Sequence, residues 1–289
     1  MEMFDKKSMD ERIGKKLRKN KNLLHMAEVE AFFTAEMEQY DTEYAYDCIA
    51  NELPFFKTLN YTEYAGCYMI HPMQQEMRIK QIEDAYLDDA EVKVDFVKQF
   101  RDRILAGQSN KYQNMTDLKK YKRRSNLVVL PGSNKLKERT CLNKLKWIRD
   151  QGDVYFKPHP ITTHAIIGEM KDLLGEDNVL PRNGNMYELL VEADTVYTSH
   201  LSESAMYAVA LGKKISPIDS YNQIIYGSFY HINKHLFTSD DPQAWVNRTL
   251  NSPKCGLIDS KSDGNWKSKV VDYLTYIHQE RAKYEKFYI

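Results

Sequence analysis

The chain has 289 residues, 42% hydrophobic and 28% charged, enough for one large or two modest domains; its 41 basic and 41 acidic residues cancel, excluding a global field for nucleic acid or membrane. No run of about 18 apolar residues is present, and "MEMFDKKSMDERIGKKLRKNKNLL" is too charged for a secretory signal, so a cytoplasmic protein is expected. Cys48, Cys67, Cys141 and Cys255 form no CxxC pair and fit free thiols better than a disulfide frame or a zinc site; no metal is expected.

In chain order, "LLHMAEVEAFFTAEMEQY" has helical spacing, "AGCYMIHP" reads as one strand, and "EVKVDFVKQFRDRILAG" is helical again. This first part is read as helix-rich with at most a small sheet. The polar, basic "NKYQNMTDLKKYKRRSN" reads as an interdomain connection. From Asn126 onward short apolar runs alternate with helical patterns. "NLVVLPGSN" is a strand entering a glycine turn, "KLKERTCLNKLKWIRDQG" an amphipathic helix, and "DVYFKPHP" a second strand. "THAIIGEMKDLLG" is a helix, "NVLP" a third strand, "NMYELLVEA" a helix, and "DTVYTSH" a fourth strand. "SESAMYAVALG" is a helix and "KKISPID" a fifth strand. That alternation predicts right-handed crossovers and a parallel sheet covered on both faces. "HINKHLF" reads as a surface helix and "NWKSKVVDYLTYIHQERAKYEKFYI" as a long amphipathic one. The expected organisation is an N-terminal domain over 1–122, a Rossmann-like domain over 123–262 and a C-terminal helix over 263–289.

Ligands of open α/β sheets bind at the carboxyl ends of the strands, so three loops stand out. In "LPGSNK", Gly132 permits close backbone approach and Ser133 offers a hydroxyl at a helix entrance, although a plain turn with an N-cap has the same residues. In Lys157-Pro158-His159-Pro160, the prolines stiffen a loop that presents a cation and an imidazole, which suits an anionic group; a rigid surface turn is the alternative. In "DTVYTSHLSESAMYAVALGKK", Ser199, Ser202 and Ser204 gather with backbone amides at a helix start, a seat for a diphosphate. Glu203 places a carboxylate in reach of ribose hydroxyls, and a well-capped helix explains the same pattern.

The Lys157–Pro160 segment, "LLVEADTVYTSHLSESAMYAVALGKKI" about forty residues later, and the order of elements between them resemble the C-terminal nucleotide-sugar domain of GT-B glycosyltransferases. The likeness is nearest to the bacterial sialyltransferase, capsule-polysaccharide and teichoic-acid polymerase groups, and covers residues 126–220. It implies an α/β, GT-B-like fold, with a Rossmann-type parallel sheet in the C-terminal half and a smaller, helix-rich N-terminal domain on the acceptor side. It also implies that His159 and Lys157 meet the donor phosphates, that Ser199, Ser202 and Ser204 hold them, and that Glu203 binds ribose. Pro181 or Met186, in "LPRNGNMYE", would contact the base. His200 departs from the pattern, standing where these proteins usually have a small residue. The last helix would cross back onto the N-terminal domain, and no metal or other cofactor would be needed beside a nucleotide-sugar co-substrate, UDP- or CMP-linked.

Such a transferase needs a base for the acceptor's proton, and His71, in "YMIHPMQQE", is the candidate, against a simply packed histidine. "LDDAE" reads as a solvated helix end. His231 and His235 stand four residues apart without an evident third ligand. Basic residues between Lys119 and Arg149, with Tyr121 and Trp147 among them, can track a phosphodiester backbone. The acceptor hydroxyl is therefore expected on a bacterial surface glycan or on a hydroxymethylated base in phage DNA, with "KKLRKNKN" as a peripheral membrane contact in the former case. A nucleotide-sugar epimerase or hydrolase and a non-catalytic nucleotide-binding module are the alternatives.

Overall fold

The computed structural model describes residues 24–40, 43–46, 58–107, 116, 118, 120–132, 140–219 and 229–285. Helix α1 is Leu24–Met37, followed by strands β1 (Glu43–Tyr46), β2 (Thr58–Tyr64) and β3 (Cys67–Pro72), then α2 (Gln75–Leu87) and α3 (Phe96–Leu105). Next come β4 (Asn126–Val129), α4 (Leu142–Asp150), β5 (Val154–Lys157), α5 (His164–Leu174), a 3-10 turn at Glu176–Asn178 and α6 (Met186–Glu192). The chain continues through β6 (Thr195–Thr198), α7 (Ser204–Ala210), β7 (Lys214–Pro217), α8 (Tyr230–Thr238), α9 (Pro242–Asn251), β8 (Leu257–Ile258) and α10 (Trp266–Glu285). It divides into two compact units, residues 1–96 with 244–289, and residues 97–243. The sequence reading instead drew its lines after residues 122 and 262. Strand β8 pairs with β3, so the chain beyond residue 244 packs with the first unit.

The first unit holds a mixed four-stranded sheet in the order β1-β2-β3-β8. Ala65 and Gly66, both at positive φ (52° and 81°), make the two-residue turn that joins antiparallel β2 and β3. Leu59 and Tyr61 of β2 and Tyr68 and Ile70 of β3 turn into one core. Met26, Val29, Phe33 and Met37 of α1 meet them at helical spacing, as do Val270, Tyr273, Leu274 and Ile277 of α10. Each such side chain contributes roughly 1.5–3 kcal/mol by leaving water. Gly256 admits the closest approach, because a Cβ there would stand 1.9 Å from the Ile70 carbonyl. The expected solvated acid at the end of α2 is partly tied down: Asp88 accepts from Ser252 Oγ at 2.7 Å and pairs with Lys254 at 3.0 Å.

The second unit is α/β, with four parallel strands in the order β5-β4-β6-β7. Val128, Leu130, Val154 and Phe156 alternate onto one face, where Leu145 and Ile148 of α4 and Met170 and Leu174 of α5 cover them. The expected third strand, "NVLP", is reduced to an isolated parallel bridge between Val179 and Phe156, with Leu180 N donating to Phe156 O at 2.9 Å. Its place outside β5 is nonetheless that of a third strand. The helix expected from Lys135 begins at Leu142 among the described residues, since Thr140 bridges Asp219 and Cys141 N donates to Ile218 O at 2.9 Å. Helix α8 is not a surface helix throughout: His231, Ile232, Asn233 and Leu236 are buried.

Candidate functional site

From β4 the chain steps to β5 and on to Val179 on one side, then crosses back to β6 and β7 on the other. The order therefore reverses between β4 and β6, and the carboxyl ends of strands at such a reversal are the usual ligand seat of such sheets.

On one flank lies the end of β5. Lys157 is 2% exposed, and its Nζ donates to the carbonyls of Pro158 and Arg182, both at 2.7 Å. Burial pushes its pKa down to about 8. The amine thus stitches the 157–160 loop to the 181–182 loop. Arg182 Nη1 donates to Thr162 O at 2.8 Å and Thr162 N to His159 O at 2.9 Å, which closes the same stitch. His159 is half-buried, and its Nδ1 accepts a long bond of 3.3 Å from Ile161 N. That bond leaves the proton of the neutral ring on Nε2, as a donor. Gly132 lies alongside, since a Cβ there would be 3.3 Å from Ile161 Cδ1 and 3.9 Å from His159 Nδ1. Ser133 lies outside the described residues.

On the other flank the loop after β6 is tied to itself. Ser199, 1% exposed, donates its Oγ to Asp219 Oδ1 at 2.6 Å and accepts from Leu201 N at 3.0 Å. Ser204 is fully buried, its Oγ 2.6 Å from Thr198 Oγ1 and 2.7 Å from Ser202 Oγ. Ser202 N donates to Ser199 O at 3.0 Å and Ser204 N to Ser202 Oγ at 3.3 Å. The hydroxyls and amides read as a diphosphate seat are thus engaged with one another. Glu203 is half-buried and stands at the N-cap of α7.

Two groups that the sequence reading left out organise this flank. Asp219, after β7, has a side chain only 2% exposed, and besides Ser199 Oγ it accepts from the His200 backbone N–H and from His200 Nδ1, each at 2.6 Å. Asn233 of α8 donates to His200 O at 2.6 Å and Ser202 O at 2.9 Å, clamping the loop from above. The His200 ring rests against Phe237 and Tyr230, with centroids 4.6 and 5.3 Å away. Beneath, Lys144 donates to Ser216 Oγ at 3.2 Å and to Pro217 O; burial lowers its pKa while the Asp219 charge opposes that. The signal was present in "SPID", an acid directly after a strand, on the crossover that neighbours the serine loop.

Pro181 is half-buried beside a groove of ≈ 880 Å³ whose lining includes Lys120, Lys122, Arg124 and Arg182. Arg124 stacks 4.1 Å over the Tyr155 ring and donates to Asn178 Oδ1 at 2.6 Å. Met186 opens α6 and is half-buried. His71, in the other unit, is fully buried in β3, with Nδ1 donating to Pro72 O at 3.0 Å. A histidine so enclosed has no solvent face to offer an acceptor.

No protein-family model matches the chain, and no curated protein matches it. Among solved structures the chain is similar to Thermosulfurimonas dismutans KpsC, a beta Kdo 2,7 transferase, with 14% sequence identity and a TM-score of 0.41 over 75% of this chain and 79% of that one. At that identity and TM-score the likeness carries no inference about activity. No described helix is long and apolar enough to cross a membrane.

Proposed function

We propose that the chain is a glycosyltransferase of GT-B type, taking a sugar from a UDP- or CMP-linked donor to a hydroxyl acceptor. The observation that supports this most is the reversal of strand order between β4 and β6. Gly132 and His159 stand on one flank of it and the Asp219-anchored loop of Ser199 to Ser204 on the other. His159, donating through Nε2, meets the phosphate that gains charge as the sugar leaves. Gly132 lets the backbone come close, and Lys157 holds the loop that carries His159. Glu203 reaches the ribose, and Pro181 and Met186 face the base. The cations of the groove beside Pro181 favour an acceptor that is itself anionic, on a surface glycan or on hydroxymethylated DNA.

Thermal unfolding with a panel of UDP-, CMP- and GDP-sugars tests the donor, because a ligand at a hundred times its Kd stabilises by roughly 2.7 kcal/mol. Mass spectrometry of products from labelled donors, with glycan and hydroxymethylated DNA pools supplied separately, tests the acceptor. A panel in which no nucleotide sugar shifts the transition would sink the reading.

A further inference from the structure

We infer that His200, oriented by Asp219, is the proton acceptor of the transfer; this rests on the glycosyltransferase reading and names the base that His71 cannot be. A buried carboxylate accepts and does not donate, so the 2.6 Å contact with Asp219 Oδ2 places the proton of the neutral ring on Nδ1. Nε2 then carries the lone pair. Among the described residues no hydrogen bond engages Nε2, and it is not one of the buried polar atoms without a partner. It therefore keeps part of the 14% exposure of the side chain, at the carboxyl end of β6.

Three further features point the same way. The Asp219 carboxylate, 2% exposed, stabilises the imidazolium that forms on proton uptake more than an exposed acid would. The ring cannot turn away easily, because Phe237 and Tyr230 pack against it and Asn233 holds the carbonyl of its own residue. Its backbone N–H is held by the same Oδ2 as its side chain, so loop and ring are fixed as one piece. Such a carboxylate, imidazole and open lone pair is more than a structural pair needs.

In the step itself the acceptor O–H bond breaks and its proton passes to Nε2. The oxygen's electron pair forms the bond to the anomeric carbon, and the bond from that carbon to the phosphate oxygen breaks, its pair leaving with the nucleotide. Atoms and charge balance with no further reactant, and the proton returns to water from His200.

The test uses the full chain with UDP- and CMP-sugars and water as the acceptor. His200→Ala and His200→Asn should each slow donor consumption about 10²–10⁴-fold. The thermal shift produced by the nucleotide should stay at the wild-type value, which shows that fold and donor site survive. Azide needs no deprotonation, so adding it should restore donor consumption in His200→Ala and yield the glycosyl azide. Variants that retain wild-type turnover, or a loss that azide does not repair, overturn the role of His200 while the transferase reading stands. Wild-type protein that consumes none of the donors overturns that reading and this inference together.

Discussion

Two histidines stand at the carboxyl ends of the same sheet and are held in opposite ways. His159 follows β5 between two prolines, and its Nδ1 accepts a 3.3 Å bond from the backbone N–H two residues on. His200 follows β6 and is held at 2.6 Å by a carboxylate that is nearly sealed from water. A backbone N–H on Nδ1 leaves the other nitrogen a donor, and a carboxylate on Nδ1 leaves it an acceptor. One sheet thus carries two histidines at its strand ends with opposite tautomers, one set by a backbone N–H and the other by a carboxylate.

The largest effect should come from removing the carboxylate. Asp219→Ala leaves Ser199 Oγ and both His200 donors without an acceptor in a dry site, which should cost about 3–5 kcal/mol in chemical denaturation. His159→Ala breaks the opposite flank and should leave stability nearly unchanged. Its loss appears in turnover, about tenfold to a thousandfold, if the ring meets charge developing on the phosphate. Should Asp219→Ala be as stable as wild type, the contrast between the two flanks dissolves.

A third expectation concerns pH. Lys157 is held near pKa 8 in the fold against an ordinary value of 10.5, so between those values the unfolded chain binds the extra proton. The cost of burying the ammonium is complete below pH 8 and is relieved as pH rises, by roughly 2–3 kcal/mol between pH 7 and pH 10. Buried Tyr273 and Cys255, whose pKa values burial raises, act in the reverse direction at high pH. The useful measurement is therefore the difference between wild type and Lys157→Met, which should narrow by that amount in wild type's favour as pH increases. A difference constant with pH would mean that the amine keeps its proton on terms set by the two carbonyls alone.

The parallel half of the fold was legible because short runs holding Val, Ile, Tyr or Phe alternate with helical patterns, with Gly152 and Gly212 between helix and strand before β5 and β7, a pattern local to each segment. "NVLP" failed as a strand for an equally local reason: its run follows a 3-10 turn directly and ends at a proline that has no N–H for a ladder. The sheet of the other unit was harder to see, since β2 alternates over only Leu59 to Thr62 and buries Asn60, Thr62 and Glu63, polar residues that read as surface. In the site, His159 and the serines were visible as motifs. The bond from His200 to Asp219 was not, because nineteen residues separate them and only the pairing of β6 with β7 brings their ends together. The engaged serines illustrate the converse. A run of hydroxyls reads as a set of free donors until the structure shows Ser202 and Ser204 bonded to each other and Ser199 to Asp219.

The smallest effect, and the most discriminating, belongs to Gly132. Its nearest neighbour for an added Cβ is the end of the exposed Ile161 side chain at 3.3 Å, which can swing aside, so Gly132→Ala should change stability by less than about 1 kcal/mol. What the methyl removes is room beside His159 for a ligand to approach the backbone. Nucleotide affinity, read by isothermal titration, should fall roughly threefold to tenfold, about 1 kcal/mol. An unchanged affinity would place the phosphates on the His200 flank instead. The division of labour between the two histidines would then have to be reversed.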